Sequence, residues 1–481
     1  MSRLLELDRR AVLEIERGPD RATWVAVAVA AVGTDLAVRS GVTGLAGAAL
    51  VAGVSASLLW GGRLATRGAM VLALAAPVFG LGLAMRTSPG IVGPDMCAAA
   101  GLLVLACSMA RYGDPRNLSV PGLVVRGLLA TAHGVAAPGF LARGLAGRGG
   151  RLPVAARGLA LAVPVALVLG ALLGAADPVF ASFFRFPGDP FDAVVHVVLL
   201  GVGAWGMAGL LRLAAAGPPV EPPTVSWRLG RTEATTVLTV LVLLFLAFSG
   251  AQVFAALGGA DTVLSTAGLT YAEYARSGFF QLLAVAALTL GVLMAVRAAV
   301  GGLRGRLLFL SEVAVGLTIV VVAVALRRLW LYDQAFGLTM LRLSAAVFAA
   351  WVGAVFVLLG LSLAGVGRDR AWLVPAALAA GLALLAVLNV ANPEALVVRR
   401  NLAHAEAGGV FDAVYVASLS DDAVPTLLGG LDRLGPDDRA DVLRLVCGEG
   451  RPGLDRSEGF WAFNRARHAA DAARNRTCGA R

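Results

Sequence analysis

The chain has 481 residues, of which 58% are hydrophobic and only 15% are charged, and its mean hydropathy is +0.79. Soluble domains carry about 25% charged residues, so this composition excludes the soluble class and predicts an all-α, polytopic transmembrane helical bundle. The net charge is +10 and all 41 basic residues are arginines, which excludes a Walker-type phosphate loop and a lysine Schiff base.

The first 21 residues mix acidic and basic side chains and predict a short cytoplasmic helix rather than a signal peptide. Apolar runs behind it predict about eleven membrane spans, and the pattern also fits ten or twelve. The twelfth would be the stretch 120–141, which carries Arg126 and His133 and is otherwise interfacial or re-entrant. The predicted spans are 22–38, 42–60, 68–85, 92–110, 158–176, 192–211, 235–256, 278–296, 309–326, 340–364 and 371–390.

Arginines divide unevenly between the two sets of connections. If the N-terminus lies in the cytoplasm, the loops on the extracytoplasmic side hold only six arginines, which are Arg39, Arg86, Arg185, Arg276, Arg327 and Arg328. Because cytoplasmic loops are enriched in arginine, the sequence predicts a multi-pass protein with its N-terminus inside and its C-terminus outside. The predicted organisation is a cytoplasmic helix (1–21), four spans (22–110), a cytoplasmic or interfacial connection (111–157), a transmembrane core of about seven helices (158–390) and an extracytoplasmic helical tail (391–481).

The stretch TYAEYARSGFFQLL, residues 270–283, places polar and aromatic side chains at the mouth of an apolar run. Thr270 and Glu273 have the spacing of a capping box, and Glu273 can pair with Arg276 on one helix face. Tyr271 and Tyr274 would then anchor the rim at the membrane interface. The alternative is an anion site, because Arg276 lies closer to the span than solubility requires.

The stretch RRLWLYDQAF, residues 327–336, is predicted to lie just outside a span and carries Tyr332 and Asp333. Arg327 and Arg328 there conflict with the positive-inside rule, and such local conflicts are often functional. An anionic partner, such as a phosphate, a carboxylate or a lipid headgroup, would resolve the conflict. The alternative is that both arginines snorkel to outer-leaflet headgroups.

Within the spans, His196 is the deepest titrating side chain, and it is typical of a helix–helix hydrogen bond or of a proton relay. The tail should begin with a helix capped at Asn392, and two more helices should begin at Ser420 and Ser457. The polar candidates of the tail are Asn401, His404, Asp412 and Tyr415.

Cys447 and Cys478 either form an extracytoplasmic disulfide or remain two thiols. The usual metal, redox and serine-hydrolase motifs are absent from the sequence, which predicts no metal and no cofactor. The arginines are scattered, so no nucleic-acid partner is expected.

Three segments carry a family resemblance: Tyr271-x-x-Tyr-x-Arg-x-Gly-Phe, Arg399-Arg-Asn, and Asp412-x-x-Tyr followed by Leu419-Ser-x-Asp-Ala-Val-Pro. Together they resemble the bacterial multi-pass membrane proteins of the domain of unknown function 4173 family, over roughly residues 150 to 430. The resemblance implies a polytopic protein of the bacterial cytoplasmic (inner) membrane and carries no activity with it. The first 110 residues lie outside it.

Three functions fit these observations. The first is transport or handling of an anionic or lipid-linked molecule at the extracytoplasmic face, bound by Arg276, Arg327, Arg328, Tyr271, Tyr274 and Tyr332. The second is a membrane-embedded transferase for a lipid-linked substrate, with Glu273, Asp333, His196 or Asp412 as acid or base. The third is a non-catalytic scaffold or signalling partner, whose tail docks another envelope protein. In each case the lipid bilayer is a partner.

Overall fold

The computed structural model describes residues 19–61, 63–146, 190–217, 229–254, 279–300, 302–366, 371–448 and 459–479. Every regular element within these ranges is a helix. Nine of the helices there are long and apolar enough to cross a membrane. The all-α polytopic membrane architecture is therefore confirmed.

The chain divides into two compact units. The first comprises Met1–Pro115, Ser119–Pro222 and Asp455–His468, and the second comprises Arg116–Leu118, Pro223–Leu454 and Ala469–Arg481. The predicted span at 158–176 lies outside the described residues.

Seven helices of the first unit are described, and four of them form long spans near the predicted positions. They are α1 (Arg21–Ser40), α2 (Leu45–Trp60), α3 (Arg67–Met85), α4 (Pro89–Ser108), α5 (Val120–Val135), α6 (Ala137–Ala146) and α7 (Pro190–Ala214). Helix α1 continues through Asp35, and its start is closed by a capping box between Asp20 and Thr23. Helix α2 has 16 residues, fewer than the roughly 20 that a perpendicular span needs.

The stretch 120–141 is helical, with a turn at Ala136 between α5 and α6. Its two basic residues, Arg126 and His133, make defined contacts. Arg126 donates to the backbone carbonyl of Ser108, at the C-terminal end of α4, while His133 is buried against Arg212 of α7. Because a guanidinium has no acceptor atom, the Nδ1 of His133 must accept this bond, and the imidazole is neutral.

Five long helices of the second unit are described: α8 (Arg231–Phe254), α9 (Phe279–Val300), α10 (Arg306–Phe336), α11 (Met340–Leu363) and α12 (Leu373–Ala391). Helices α8, α9, α10 and α11 pack around one buried apolar core, which includes Leu238, Leu293, Val322 and Phe356. Helix α10 has 31 residues and is about 46 Å long, which exceeds the bilayer core of about 30 Å.

The length of α10 corrects one prediction. Residues 327–336 were expected to form a connection beyond a span, but they are the last turns of α10. Arginines have good helix propensity, and no glycine or proline lies between Arg327 and Gly337.

The tail is helical, as predicted, with different boundaries. It contains α13 (Pro393–Glu406), α14 (Ala413–Ala417), α15 (Val424–Leu428), α16 (Pro436–Cys447) and α17 (Arg465–Cys478). The expected start at Ser420 was wrong, because α15 begins at Val424, and α16 was not predicted. The expected start at Ser457 lies outside the described residues. Residues of α17 from Ala469 onward belong to the second unit, where Ala470 packs with Val398, Leu402 and Val442.

Candidate functional site

A three-residue loop, 337–339, joins α10 to α11 and determines the position of Arg342. Gly337 has φ +73°, a conformation that favours glycine. The hydroxyl of Thr339 then caps α11 by accepting from the backbone N–H of Arg342. The guanidinium of Arg342 donates to the carbonyl of Gly337 and lies over the ring of Tyr332, 4.0 Å from its centroid. The loop thereby holds a cation against an aromatic face.

Two side chains of the tail form hydrogen bonds with the backbone of this loop and of the first residue of α11. The amide of Asn401, on α13, donates to the carbonyl of Leu338 at 2.7 Å. The hydroxyl oxygen of Tyr415 accepts from the backbone N–H of Met340 at 2.7 Å. Burial raises the pKa of Tyr415, so the phenol is neutral at physiological pH.

Asp333 lies beside Arg342 in the last turns of α10. It is half-buried, and its Oδ1 is buried without a hydrogen-bond partner among the described residues. The positive charges of Arg342 and of Arg400, on α13, both act on this carboxyl, although Arg400 is itself exposed. We call Tyr332, Asp333, Arg342 and Arg400 the Asp333 cluster.

The first turn of α13 fixes the tail at this position. Asn392 caps α13 by accepting from the N–H of Ala395 at 3.1 Å, and its amide donates to the carbonyl of Asp422 at 3.0 Å. Glu394 is buried and accepts from both the N–H and the hydroxyl of Ser420, at 2.9 and 2.6 Å. The predicted cap at Asn392 is confirmed, whereas Ser420 bonds to Glu394 instead of beginning a helix.

The structure brings only some of the predicted site residues together. Tyr332 and Asp333 lie in the Asp333 cluster, while Arg327 and Arg328 lie earlier on α10, the first exposed and the second partly buried. Asp412 caps α14 by accepting from the N–H of Tyr415 at 2.8 Å. The remaining four, Tyr271, Glu273, Tyr274 and Arg276, lie outside the described residues.

Two members of the cluster, Arg400 and Arg342, are absent from the site residues that the sequence predicted. Arg400 lies in the Arg399-Arg-Asn segment that carries the family resemblance, whereas Arg342 belongs to none of the segments singled out. It stands in the first turn of a strongly apolar span, and its neighbours concealed it in the hydropathy pattern. A signal was available in Gly337-Leu-Thr-Met, where a glycine and a potential N-cap precede the span by a few residues.

His196 lies in the first unit, where it joins α1 to α7. Its Nδ1 is 2.7 and 2.8 Å from the two carboxylate oxygens of Asp35, so Nδ1 carries the proton that it donates. Its Nε2 is 3.6 Å from Asp192, which in turn accepts from Arg39. These four side chains form a polar chain across one helix–helix contact.

The same two helices approach closely at Gly203, about two turns after His196 on α7. A Cβ on Gly203 would lie 2.5 Å from the carbonyl oxygen of Ala30. Small residues at such positions let helix backbones come together within a membrane. Gly203 therefore allows α1 and α7, which carry Asp35 and His196, to pack closely.

Cys447 and Cys478 are joined by a disulfide bond within the second unit. In the described ranges, no group of three or more His, Cys, Asp or Glu side chains could hold a metal ion. The side chains that converge at the Asp333 cluster are suited to binding charge rather than to coordinating a metal.

The family model described as a domain of unknown function (DUF4153) matches residues 27–429. The chain belongs to this family. The resemblance inferred from the sequence named a different family of unknown function, 4173, and the match also includes most of the N-terminal helices that the resemblance left out. No curated protein and no solved structure matches the chain.

Proposed function

We propose that this integral membrane protein binds and handles an anionic or lipid-linked molecule at the extracytoplasmic face, with the Asp333 cluster as its contact. The observation that carries the proposal is the buried Oδ1 of Asp333, which has no hydrogen-bond partner among the described residues although two arginines lie nearby. A buried polar atom without a partner costs about 1–3 kcal/mol. A ligand that supplied the missing hydrogen bond would remove that cost.

The cluster defines the chemistry of its ligand. Arg342 and Arg400 favour an anionic group such as a phosphate or carboxylate, whereas Asp333 favours a hydroxyl or amine that donates. A molecule with both groups a few ångströms apart satisfies all three side chains. Phosphatidylglycerol has this arrangement, because its phosphate is followed by a glycerol with two hydroxyls. Phosphatidylcholine lacks the donor.

Two observations support an extracytoplasmic position. Disulfides persist in oxidising compartments and are rare in the cytoplasm, and the tail that provides Arg400 contains the bond between Cys447 and Cys478. The arginine distribution independently favours a cytoplasmic N-terminus, and about eleven spans would then put the tail outside.

The test is binding of dihexanoyl-phosphatidylglycerol to the detergent-purified protein by calorimetry, with dihexanoyl-phosphatidylcholine and inorganic phosphate as comparisons. We expect Arg400→Gln to weaken phosphatidylglycerol binding about fivefold, the equivalent of about 1 kcal/mol. Asp333→Asn should reduce the preference for phosphatidylglycerol over phosphatidylcholine.

The matched control is Arg399→Gln, since Arg399 is an exposed neighbour on α13 that does not act on Asp333. Equal weakening by Arg399→Gln and Arg400→Gln would reduce the effect to general surface charge and contradict the proposal. Phosphate binding as tight as that of phosphatidylglycerol would assign the cluster to a small anion instead of a lipid.

A further inference from the structure

A second cationic site lies at the opposite end of α10. Arg306, the first residue of α10, and Arg231, the first residue of α8, line a cavity of about 380 Å³. Arg306 and Asp333 are 27 residues apart on one helix, about 40 Å along its axis. One face of α8 provides the threonines of the cavity, which are Thr232, Thr235, Thr236 and Thr239.

Both arginines of this cavity lack a counter-ion in the described part of the chain. Arg231 and Arg306 are exposed, and no carboxylate there pairs with either. Glu233 lies in the first turn of α8, as Arg231 does. Its Oε2 accepts from the backbone N–H of Gly230 at 2.8 Å. Its carboxylate therefore caps α8, and two positive charges remain to attract an anion.

The threonines divide into two groups. The hydroxyls of Thr235 and Thr236 donate to backbone carbonyls four residues earlier, at 2.7 and 3.0 Å. Thr232 and Thr239 make no such bond among the described residues, and they lie seven residues apart on one face of the helix. These two hydroxyls can donate to an oxygen held between the arginines.

An apolar surface continues from the cavity along α8. Val240 lines the cavity, and Leu243 and Leu244 follow it on the same helix face, exposed by 59% and 63%. Because α8 is a candidate membrane span, these side chains face acyl chains. A ligand with a charged head at the arginines and an apolar body along α8 matches this arrangement better than a free anion does.

We infer that this cavity binds the phosphate headgroup of an anionic phospholipid, which lies between Arg231 and Arg306 with its acyl chains along Val240, Leu243 and Leu244. The site is independent of the function proposed for the Asp333 cluster. It is separated from that cluster by most of the length of α10.

The test is native mass spectrometry of the full chain, titrated in detergent with dioleoyl-phosphatidylglycerol or dioleoyl-phosphatidylcholine. All variants carry Arg400→Gln, so that the weakened binding at the Asp333 cluster is the same in every comparison and the two proposals can fail separately. We expect Arg231→Gln and Arg306→Gln each to weaken phosphatidylglycerol binding about fivefold. Thr239→Val should weaken it about twofold to fivefold without a change in charge.

Arg304→Gln is the matched control, because Arg304 is an exposed arginine two residues before α10 that does not line the cavity. It should leave phosphatidylglycerol binding unchanged. Equal losses in Arg304→Gln and Arg306→Gln would overturn the inference, as would equal affinity for the two lipids. Displacement of phosphatidylglycerol by millimolar inorganic phosphate would also overturn the lipid assignment. The thermal unfolding midpoint of each arginine variant should match that of the parent, since these side chains are exposed.

Discussion

The phenolic oxygen of Tyr415 accepts a hydrogen bond from the backbone N–H of Met340, with an N–O distance of 2.7 Å. Met340 is the first residue of α11, where a backbone N–H has no partner within its own helix. A side chain of the tail therefore completes the start of a membrane helix. Arg342 follows two residues later, so the same bond helps to fix the position of the Asp333 cluster.

Replacing Tyr415 by phenylalanine should destabilise this junction by about 1–3 kcal/mol, because a half-buried N–H would lose its acceptor. The measurement is the thermal unfolding midpoint in detergent, followed by tryptophan fluorescence. Tyr332→Phe is the matched control, since the hydroxyl of Tyr332 makes no hydrogen bond among the described residues and the ring under Arg342 is retained. Equal midpoints for the two variants would show that the Tyr415 bond contributes little.

Gly337→Ala should also destabilise the loop between α10 and α11. Gly337 has φ +73° and ψ 171°, a region of backbone conformation that costs other residues about 1–3 kcal/mol. The added Cβ would also lie 2.3 Å from Oδ1 of Asn401, which would have to move. Gly316→Ala on α10 has open space around it and should leave the unfolding midpoint unchanged or raise it. Equal thermal unfolding midpoints for Gly337→Ala and Gly316→Ala would show that the loop does not require glycine.

In the first unit, Gly203→Ala should separate α1 from α7, because its Cβ would lie 2.5 Å from the backbone oxygen of Ala30. Gly206→Ala is three residues away on α7 and meets no atom within 4 Å. The first substitution should lower the unfolding midpoint. The second should raise it slightly, since alanine is favoured over glycine in helices by about 1 kcal/mol. The opposite order would refute the close contact between the two helices.

The tail should lose stability in acid through Glu406. Arg433 donates to both carboxylate oxygens of Glu406, and this hydrogen bonding holds the pKa of Glu406 below its usual value of 4.5. The folded state therefore binds the proton less well than the unfolded state. The stabilisation is complete above pH 4.5 and is lost as the pH falls through the lowered pKa.

The unfolding midpoint should therefore fall less steeply between pH 5 and pH 3 in Glu406→Gln than in the parent chain. Arg433→Gln should remove the same part of the pH dependence, because either substitution removes the pair. A parent-like acid profile in both variants would show that the pair does not contribute.

Local features of the fold could be read from the sequence. Apolar runs located the long helices, and Asn392-Pro-Glu predicted the start of α13, because capping depends on neighbouring residues only. The missed α16 begins with Gly435-Pro-Asp-Asp, a first-turn proline followed by two acids, which is an equally local signal.

The site could be predicted only in part. Tyr332 and Asp333 were identified from their unusual place beside an apolar run, but their partners come from distant segments. Met340 and Tyr415 are 75 residues apart in sequence, and no periodicity or spacing shows that they meet. The error at 327–336 has a different cause, because paired arginines were taken to end a helix that in fact continues to Phe336.

The proposed function requires the Asp333 cluster to lie on the extracytoplasmic side of the membrane. Because the tail supplies Arg400, Asn401 and Tyr415 to this region, the side on which the tail lies tests the proposal. The direct measurement is labelling of Cys447 and Cys478 in intact cells with a membrane-impermeant maleimide, with and without prior reduction by an impermeant phosphine. The remaining cysteines, Cys97 and Cys107, are replaced by serine. We expect labelling only after reduction, which would place the disulfide and the site outside. Labelling only after lysis would place the tail in the cytoplasm and contradict an extracytoplasmic site.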